Sequence, residues 1–292
     1  MALRWQPDSP TDDRSFSPHT RGEHTTRPPQ AFCLRDAELR RLTEQIMPPG
    51  ATEPFGAYLF RGDEPGAELG RHVERAVFLE AFGNTPELLT QEYGPYEASS
   101  AFICVVDQLR KLPVGVMRVL LPSAEGFKSL NDFEAVWGNP APPLVARTGA
   151  AFDPDRTWDI ATLAVAAEYR GAATRGLVGM GLYQTLTLAA RRSGVDWFVA
   201  ILDMPVFRMI RWKLRMIFAG YEGVGPKPYL GSAASMPAWC DVVDAERHLA
   251  ATDRDLHAIL VQGIGLEAAL RPVDLACADR LVAWRRTAAA GQ

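Results

Sequence analysis

Apolar and polar positions alternate with different periods along this chain, and the periods predict its elements. Residues 69–83 place Leu69, Val73, Val77 and Ala81 four apart with charges between them, the pattern of an amphipathic helix. Ala101–Asp107 (AFICVVD) and Val114–Leu121 (VGVMRVLL) are short apolar runs, and the residues from Gln108 to Pro113 make a hairpin the simplest link. Trp158–Val165 (WDIATLAV) reads as a third strand, partly alternating. A polar, glycine-containing stretch, Ala166–Arg175, leads into a long helical pattern over Gly176–Arg192, stopped by Gly194. Val195–Leu202 reads as a buried strand and Val206–Phe218 as a helix ending at Gly220. Tyr221–Val243 holds strand-like pieces interrupted by prolines and glycines, and helical patterns follow over 245–262 and 273–287. This order predicts an α/β domain with a mixed sheet, and no internal repeat is visible.

Composition narrows the class. Of 292 residues, 47% are hydrophobic and 23% charged, ordinary values for a globular protein. The net charge of −4 argues against a nucleic-acid-binding surface. Eight prolines fall in the first 55 residues among Ser, Thr, Asp and Arg, so residues 1–55 are expected to be a flexible Pro-rich segment with a short helix near Leu34–Ile46. The expected divisions are 1–55, a catalytic-looking domain over 56–243, and a helical C-terminal extension over 244–292. Cys33, Cys104, Cys240 and Cys277 are far apart, without metal-ligand spacing, which predicts neither a disulfide framework nor a zinc site. The chain does not open with a signal-peptide pattern, and its longest apolar run, Gly176–Ala190, is too short to span a bilayer. The expectation is a cytoplasmic protein without a metal, nucleic-acid partner or transmembrane segment.

Several chemistries have no carrier. There is no G-x-S-x-G elbow, no H-E-x-x-H and no Walker loop. The G-x-G at Gly223 and Gly225 precedes proline and suits a turn. His19 and His24 fall in the tail, and His72, His248 and His257 lie on helical patterns as surface or satisfied residues. Cys104, inside an apolar strand, is expected to be inert.

The informative segment is Trp158–Gly181, WDIATLAVAAEYRGAATRGLVGMG. A strand ends at Leu163-Ala164-Val165, a polar loop carries Tyr169-Arg170-Gly171, and a helix begins near Thr174 to Leu177. Such a junction aims backbone N–H groups and a helix N-terminus at an anion, with Arg170 and Arg175 able to bond phosphate. The same spacing also suits an ordinary strand-to-helix turn with surface arginines.

The run apolar-Ala-Val-x-x-x-Tyr-Arg-Gly resembles the acyl-donor motif of the GNAT N-acyltransferase superfamily, and Phe218-Ala219-Gly220-Tyr221 is similar to its Gly-Phe after the last core helix. Further motifs resemble one branch, the acyl-homoserine-lactone synthases and long-chain N-acyl amino acid synthases. These are Val77-Phe78, Gly115-x-x-Arg118-x-Leu120-Leu121-Pro122, Lys128-Ser-Leu-x-x-Phe133 and Trp158-Asp159-Ile-Ala-Thr162-Leu-Ala-Val165. Together they span roughly residues 68–243. The resemblance implies a GNAT-like three-layer fold with a mixed, mostly antiparallel sheet. It also implies transfer of an acyl group from acyl-CoA or an acyl carrier protein to the amine of a small molecule. The donor would lie against Leu163, Val165, Arg170, Gly171, Thr174, Arg175 and Gly176. Arg118 and the acids Glu97 and Asp159 would form one catalytic cluster, with Glu97 or Asp159 as proton acceptor and backbone N–H groups near Leu163–Val165 holding the oxyanion.

The departures are specific. Where the branch has Glu-x-Asp-x-x-Asp, this chain reads Glu92-Tyr93-Gly94-Pro95-Tyr96-Glu97. Thr162 stands for an arginine, Asn84 for a tryptophan, Arg75 is one place closer to Phe78 than usual, and Ala173 and Arg175 replace loop glycines. These changes bear on the amine acceptor, S-adenosylmethionine included, more than on acyl transfer. An acetyl-CoA-dependent acetyltransferase and a catalytically silent binding module remain open alternatives. A further group of arginines, Arg170, Arg175, Arg191, Arg192, Arg208, Arg211 and Arg215, is a candidate surface for an acidic carrier protein.

Overall fold

The computed structural model describes residues 34–138, 141, 144 and 151–290. The expected tail, with His19, His24 and Cys33, lies outside the described residues up to residue 33. Helix α1 (Asp36–Ile46) falls where the pattern placed it and buries Leu39 against Leu69 and Val106. Strand β1 (Phe55–Arg61) follows, then α2 (Ala67–Phe82) and α3 (Pro86–Tyr93). Thr85 caps α3, its hydroxyl accepting from the Leu88 N–H at 3.2 Å, with Pro86 in the first turn. Strands β2 (Ser100–Asp107) and β3 (Leu112–Leu120) form the predicted hairpin. Next come α4 (Lys128–Trp137), β4 (Thr157–Val165), α5 (Leu177–Arg192), β5 (Trp197–Asp203) and α6 (Met204–Lys213). The chain continues through β6 (Ala219–Gly220), β7 (Lys227–Tyr229), β8 (Ser232–Asp241), α7 (Val242–Thr252), α8 (Arg254–His257), β9 (Leu270–Arg271) and α9 (Ala276–Ala290).

The strands make one mixed sheet in the order β6-β8-β5-β4-β3-β2-β1-β9, with β7 paired to β8. Only β1–β9 and β4–β5 are parallel among the described pairings, so the sheet is mostly antiparallel as expected. Helices cover both faces, which completes the three layers. In β2 the side chains alternate between two cores. Phe102 and Cys104 pack with Val73, Val77 and Phe78 of α2, whereas Ala101, Ile103 and Val105 pack with Val178, Leu182 and Leu186 of α5. Burial on both faces explains why this strand reads as a continuous apolar run. Gly115 of β3 lies so close to α5 that a Cβ there would sit 2.6 Å from a Val178 methyl.

Two helical expectations are corrected. The helix expected over 206–218 ends at Lys213, because Arg215 adopts a positive φ of 51°. Met216 and Phe218 are buried in an irregular segment, and core burial rather than helical period explains their spacing. The pattern over 245–262 is broken at Asp253, whose carboxylate caps α8 by accepting from the Leu256 N–H at 3.0 Å. Strand β1 and helices α3 and α4 were not singled out by the pattern. The C-terminal helices are present as expected, and β9 returns to the sheet edge, Leu270 opposite Phe55.

Candidate active site

The parallel strands β4 and β5 pair only from Thr157 to Asp159, opposite Trp197 to Val199. Beyond that point they part. The other edge of β4 remains on β3, with one extra residue at Ala161, since Arg118 faces Thr162 while Val119 faces Ile160. The Ala166 N–H donates to the Val114 carbonyl at 2.9 Å. Because an antiparallel ladder alternates, the polar groups of Leu163 and Val165 then point away from β3, into the opening. The Val165 carbonyl accepts from Arg170 Nε on that side, at 2.7 Å. The opening is a mostly apolar cleft of about 90 Å³, lined by Ile160–Leu163 and Ile201–Asp203 together with Phe78, Phe82, Tyr93, Tyr229 and Leu230, with Ser232 and Ser235 adding polar lining.

The loop beyond β4 is fixed from within. Tyr169 is buried; its hydroxyl donates to Asp107 at 2.8 Å and accepts from Arg110 at 3.2 Å. Thr174 Oγ1 donates to the Tyr169 carbonyl at 2.7 Å, and the Gly176 N–H donates to the Gly171 carbonyl at 3.0 Å. Arg170 and Arg175 stay exposed. Arg175 and Gly176 both have positive φ, 52° and 75°, so an arginine occupies a conformation that favours glycine. Gly176 offers α5 no side-chain cap, and a helix start of this kind attracts anions. The expected donor residues therefore share one edge: Leu163 and Val165 through backbone, Gly171, Thr174 and Gly176 through loop geometry, Arg170 and Arg175 through charge.

A second cavity, of about 330 Å³, lies between α2, α3 and the segment 94–97. Its lining is charged: Glu68, Arg71, Glu74, Arg75, Glu97 and Arg118. Arg118 is 3% exposed and donates through Nε and Nη2 to Glu74 at 3.0 and 2.6 Å, and through Nη1 to Glu97 at 2.8 Å. Its carbon lies 4.7 Å from the Tyr93 ring centre and 4.6 Å from that of Phe102. Burial opposes the guanidinium charge, but Glu74 and then Glu97 outweigh it and raise its pKa. Thr162 donates to Glu74 at 2.6 Å. Glu97 also accepts from Arg71 Nε at 2.8 Å. Burial pushes the Glu97 carboxyl up, yet Arg118 and Arg71 together hold it below the usual range. Such a carboxylate is a weak base and a good cation ligand.

Asp159 stands apart from this cluster in the hydrogen bonding. It is the last residue of β4 paired to β5, has no exposed surface, and accepts from Ser129 N–H at 2.8 Å and Ser129 Oγ at 2.6 Å. Burial pushes its pKa up to about 6 against the two Ser129 hydrogen bonds. Beside it, Lys128 donates to Glu92 at 2.5 Å and Asp132 at 2.6 Å, Tyr229 bonds Asp132, and the ammonium lies 5.4 Å from the Tyr93 ring centre. Arg118 and Glu97 are thus brought together, whereas Asp159 joins a neighbouring network. Tyr93 faces both and donates to the Ala161 carbonyl at 3.3 Å. Glu74, Arg71, Ser129 and Tyr93 were missed by the sequence reading. For Glu74 the signal was a carboxylate on the apolar side of an amphipathic helix, one position past Val73.

Arg191 and Arg192 end α5, a helix of 16 residues and thus roughly 24 Å from its start. They bind Val261, Glu246 and Asp279 of the C-terminal region rather than the loop after β4. Asn84, which stands for the expected tryptophan, is buried and donates to the Leu230 carbonyl at 2.9 Å. His72 is not in either cavity; it is half-buried, and its Nδ1 is buried without a hydrogen bond. Among the described residues no group of three or more His, Cys, Asp or Glu is placed to hold a metal ion, and no helix is long and apolar enough to cross a membrane.

No family model and no curated protein matches the chain. Among solved structures it is similar to BjaI, a CoA-dependent acyl-homoserine lactone synthase with SAM and isopentyl-CoA. The two are 13% identical, with 77% of this chain and 97% of that one covered, at a TM-score of 0.46. It is also similar to FeeM, an N-acyl amino acid synthase from uncultured soil microbes, at 14% identity, 68% and 97% coverage and a TM-score of 0.47. A third similar structure is a GNAT-family acetyltransferase of Desulfovibrio desulfuricans, at 16% identity, 64% and 99% coverage and a TM-score of 0.37.

Proposed function

We propose that this chain is an N-acyltransferase that moves an acyl group from a phosphopantetheine thioester to the amine of a small molecule. The observation that carries the reading is the parting of β4 and β5 beside a loop with two exposed arginines and an uncapped helix start. An extended pantetheine arm fits a strand edge whose N–H groups at Leu163 and Val165 are turned outward, and its phosphates suit Arg170, Arg175 and the start of α5. The apolar cleft takes the acyl group, and the charged cavity across Tyr93, Thr162 and Arg118 takes the acceptor.

In this scheme the amine nitrogen attacks the thioester carbonyl carbon. The tetrahedral oxyanion is held by the Leu163 and Val165 N–H groups. The C–S bond then breaks, and the thiolate takes up the proton that the amine gives up. Glu97, held at low pKa, attracts the incoming ammonium. Asp159, its pKa pushed up to about 6, is the other candidate for proton acceptance; fully buried on Ser129 and lining neither cavity, it acts only through an intervening water. Arg118, gripping Glu74 and Glu97 at once, is a positioning residue. Acyl-CoA and acyl carrier protein share the pantetheine arm, and both remain donors in this reading, with the cytoplasm as its setting. The small cleft favours acetyl-CoA or another short donor over a long one.

The test is incubation of the purified protein and a panel of amines with acyl-CoA and acyl-carrier-protein donors, following thiol release. Release dependent on an amine supports acyl transfer. Absence of donor binding by calorimetry would sink it.

A further inference from the structure

The β7–β8 turn supplies a residue with no evident duty in acyl transfer itself. Tyr229 faces Ser232 across the hairpin, so Leu230-Gly231 is a two-residue turn, with φ of 42° and 81°. Turns of this hand favour Asn or Gly first, and a leucine there is strained. The surroundings hold it. Asn84, just past the end of α2, donates to the Leu230 carbonyl at 2.9 Å. Gly231 lies so near that a Cβ on it would sit 2.5 Å from the Phe82 carbonyl oxygen. Tyr229 is tied to Asp132. The turn is thus clamped against the end of α2, and Leu230 lines the cleft between β4 and β5 together with Phe78 and Phe82.

From this placement we propose that Leu230 is a specificity-determining residue: it closes the apolar end of the cleft and restricts the transferred acyl group to a short chain of a few carbons. The inference rests on the reading of that cleft as the acyl-donor site. The cleft's volume, about 90 Å³, is below the ~150 Å³ of a cavity that admits benzene. A long chain would have to displace Leu230, and the Asn84 bond and the Phe82 contact oppose that movement. Glycine or asparagine at 230 suits the turn and removes the apolar bulk, so both variants open the end of the cleft while keeping the hairpin.

The experiment is calorimetric binding of CoA and of acetyl-, butanoyl-, hexanoyl-, octanoyl- and decanoyl-CoA to the full chain and to Leu230→Gly and Leu230→Asn, each variant checked by near-ultraviolet circular dichroism. The expected result is that the unaltered protein binds acetyl- or butanoyl-CoA best and loses at least about tenfold by octanoyl-CoA. Both variants keep CoA affinity within about twofold and regain about tenfold or more for octanoyl-CoA. Equal length profiles in all three proteins, or tight decanoyl-CoA binding by the unaltered chain, would overturn the role of Leu230 while leaving the donor site standing. Failure of every protein to bind CoA or any acyl-CoA would overturn the donor-site reading, and this proposal with it.

Discussion

The two cavities are linked by the Thr162–Glu74 bond and the Tyr93–Arg118 contact, and they are built from opposite materials. The cleft between β4 and β5 is a backbone feature, made where two parallel strands stop pairing and one keeps its other neighbour. The charged cavity is a side-chain feature, made by guanidinium and carboxylate groups that neutralise one another. A backbone feature tolerates side-chain change as long as volume is kept, whereas a buried ionic cluster fails when one partner is lost. The contrast places fragility in the charged cavity and adjustability in the cleft.

The largest effect that tests this contrast is expected from Arg118→Met. It leaves Glu74 buried without its main partner and should lower unfolding free energy by about 3–5 kcal/mol in urea titrations. A loss under about 1 kcal/mol would mean the cluster is no tighter than a surface pair. Glu97→Gln is expected to be milder in stability, about 1 kcal/mol or less, because its side chain is 39% exposed. Its signature is kinetic: a raised KM for the amine with donor affinity kept, and an unchanged KM removes Glu97 from the acceptor site.

Asp159 gives a pH test. Its pKa rises from the ordinary 3.8 to about 6 in the folded protein, so the folded state binds the proton more tightly than the unfolded chain. Stability should therefore fall as pH rises between about 4 and 6 and level off above. Asp159→Asn should flatten that slope, measured as urea midpoints across the interval, and slow turnover while leaving donor affinity nearly intact. If the slope persists in the variant, another group titrates there. The smallest effect is expected from Arg175→Gly, which relieves the positive φ and should raise stability by about 1 kcal/mol at most. Weaker CoA binding in that variant, read by calorimetry, reports the arginine's contact with phosphate; unchanged binding assigns it to solvent.

Legibility in the sequence divided along the same line. The β2–β3 hairpin, β4, α2, α5 and β5 were readable because each buries a continuous or periodic apolar face over a whole element. Strand β1, FGAYLFR, was not: it follows directly on the Pro-rich stretch ending at Pro54, and its pairing with β2 holds it as a strand. The loop after β4 was readable, as its arginines, glycine and tyrosine are adjacent in the chain. The charged cluster was not: Glu74, Glu97 and Arg118 come from α2, the segment after α3, and β3, and their partnership is a matter of packing.

By itself, then, the sequence determined the alternation of helices and strands, the two-sided burial of the central hairpin and the donor-like junction after β4, because all of these follow from local periodicity and chain adjacency. Only the tertiary structure decided that β4 and β5 separate after Asp159, that Arg118 is shared by Glu74 and Glu97 while Asp159 belongs to Ser129, and that a leucine at a strained turn lines the cleft. Those facts depend on which distant side chains share a desolvated space, and the cost of burying charge or bending backbone is set by that company rather than by any one residue's type.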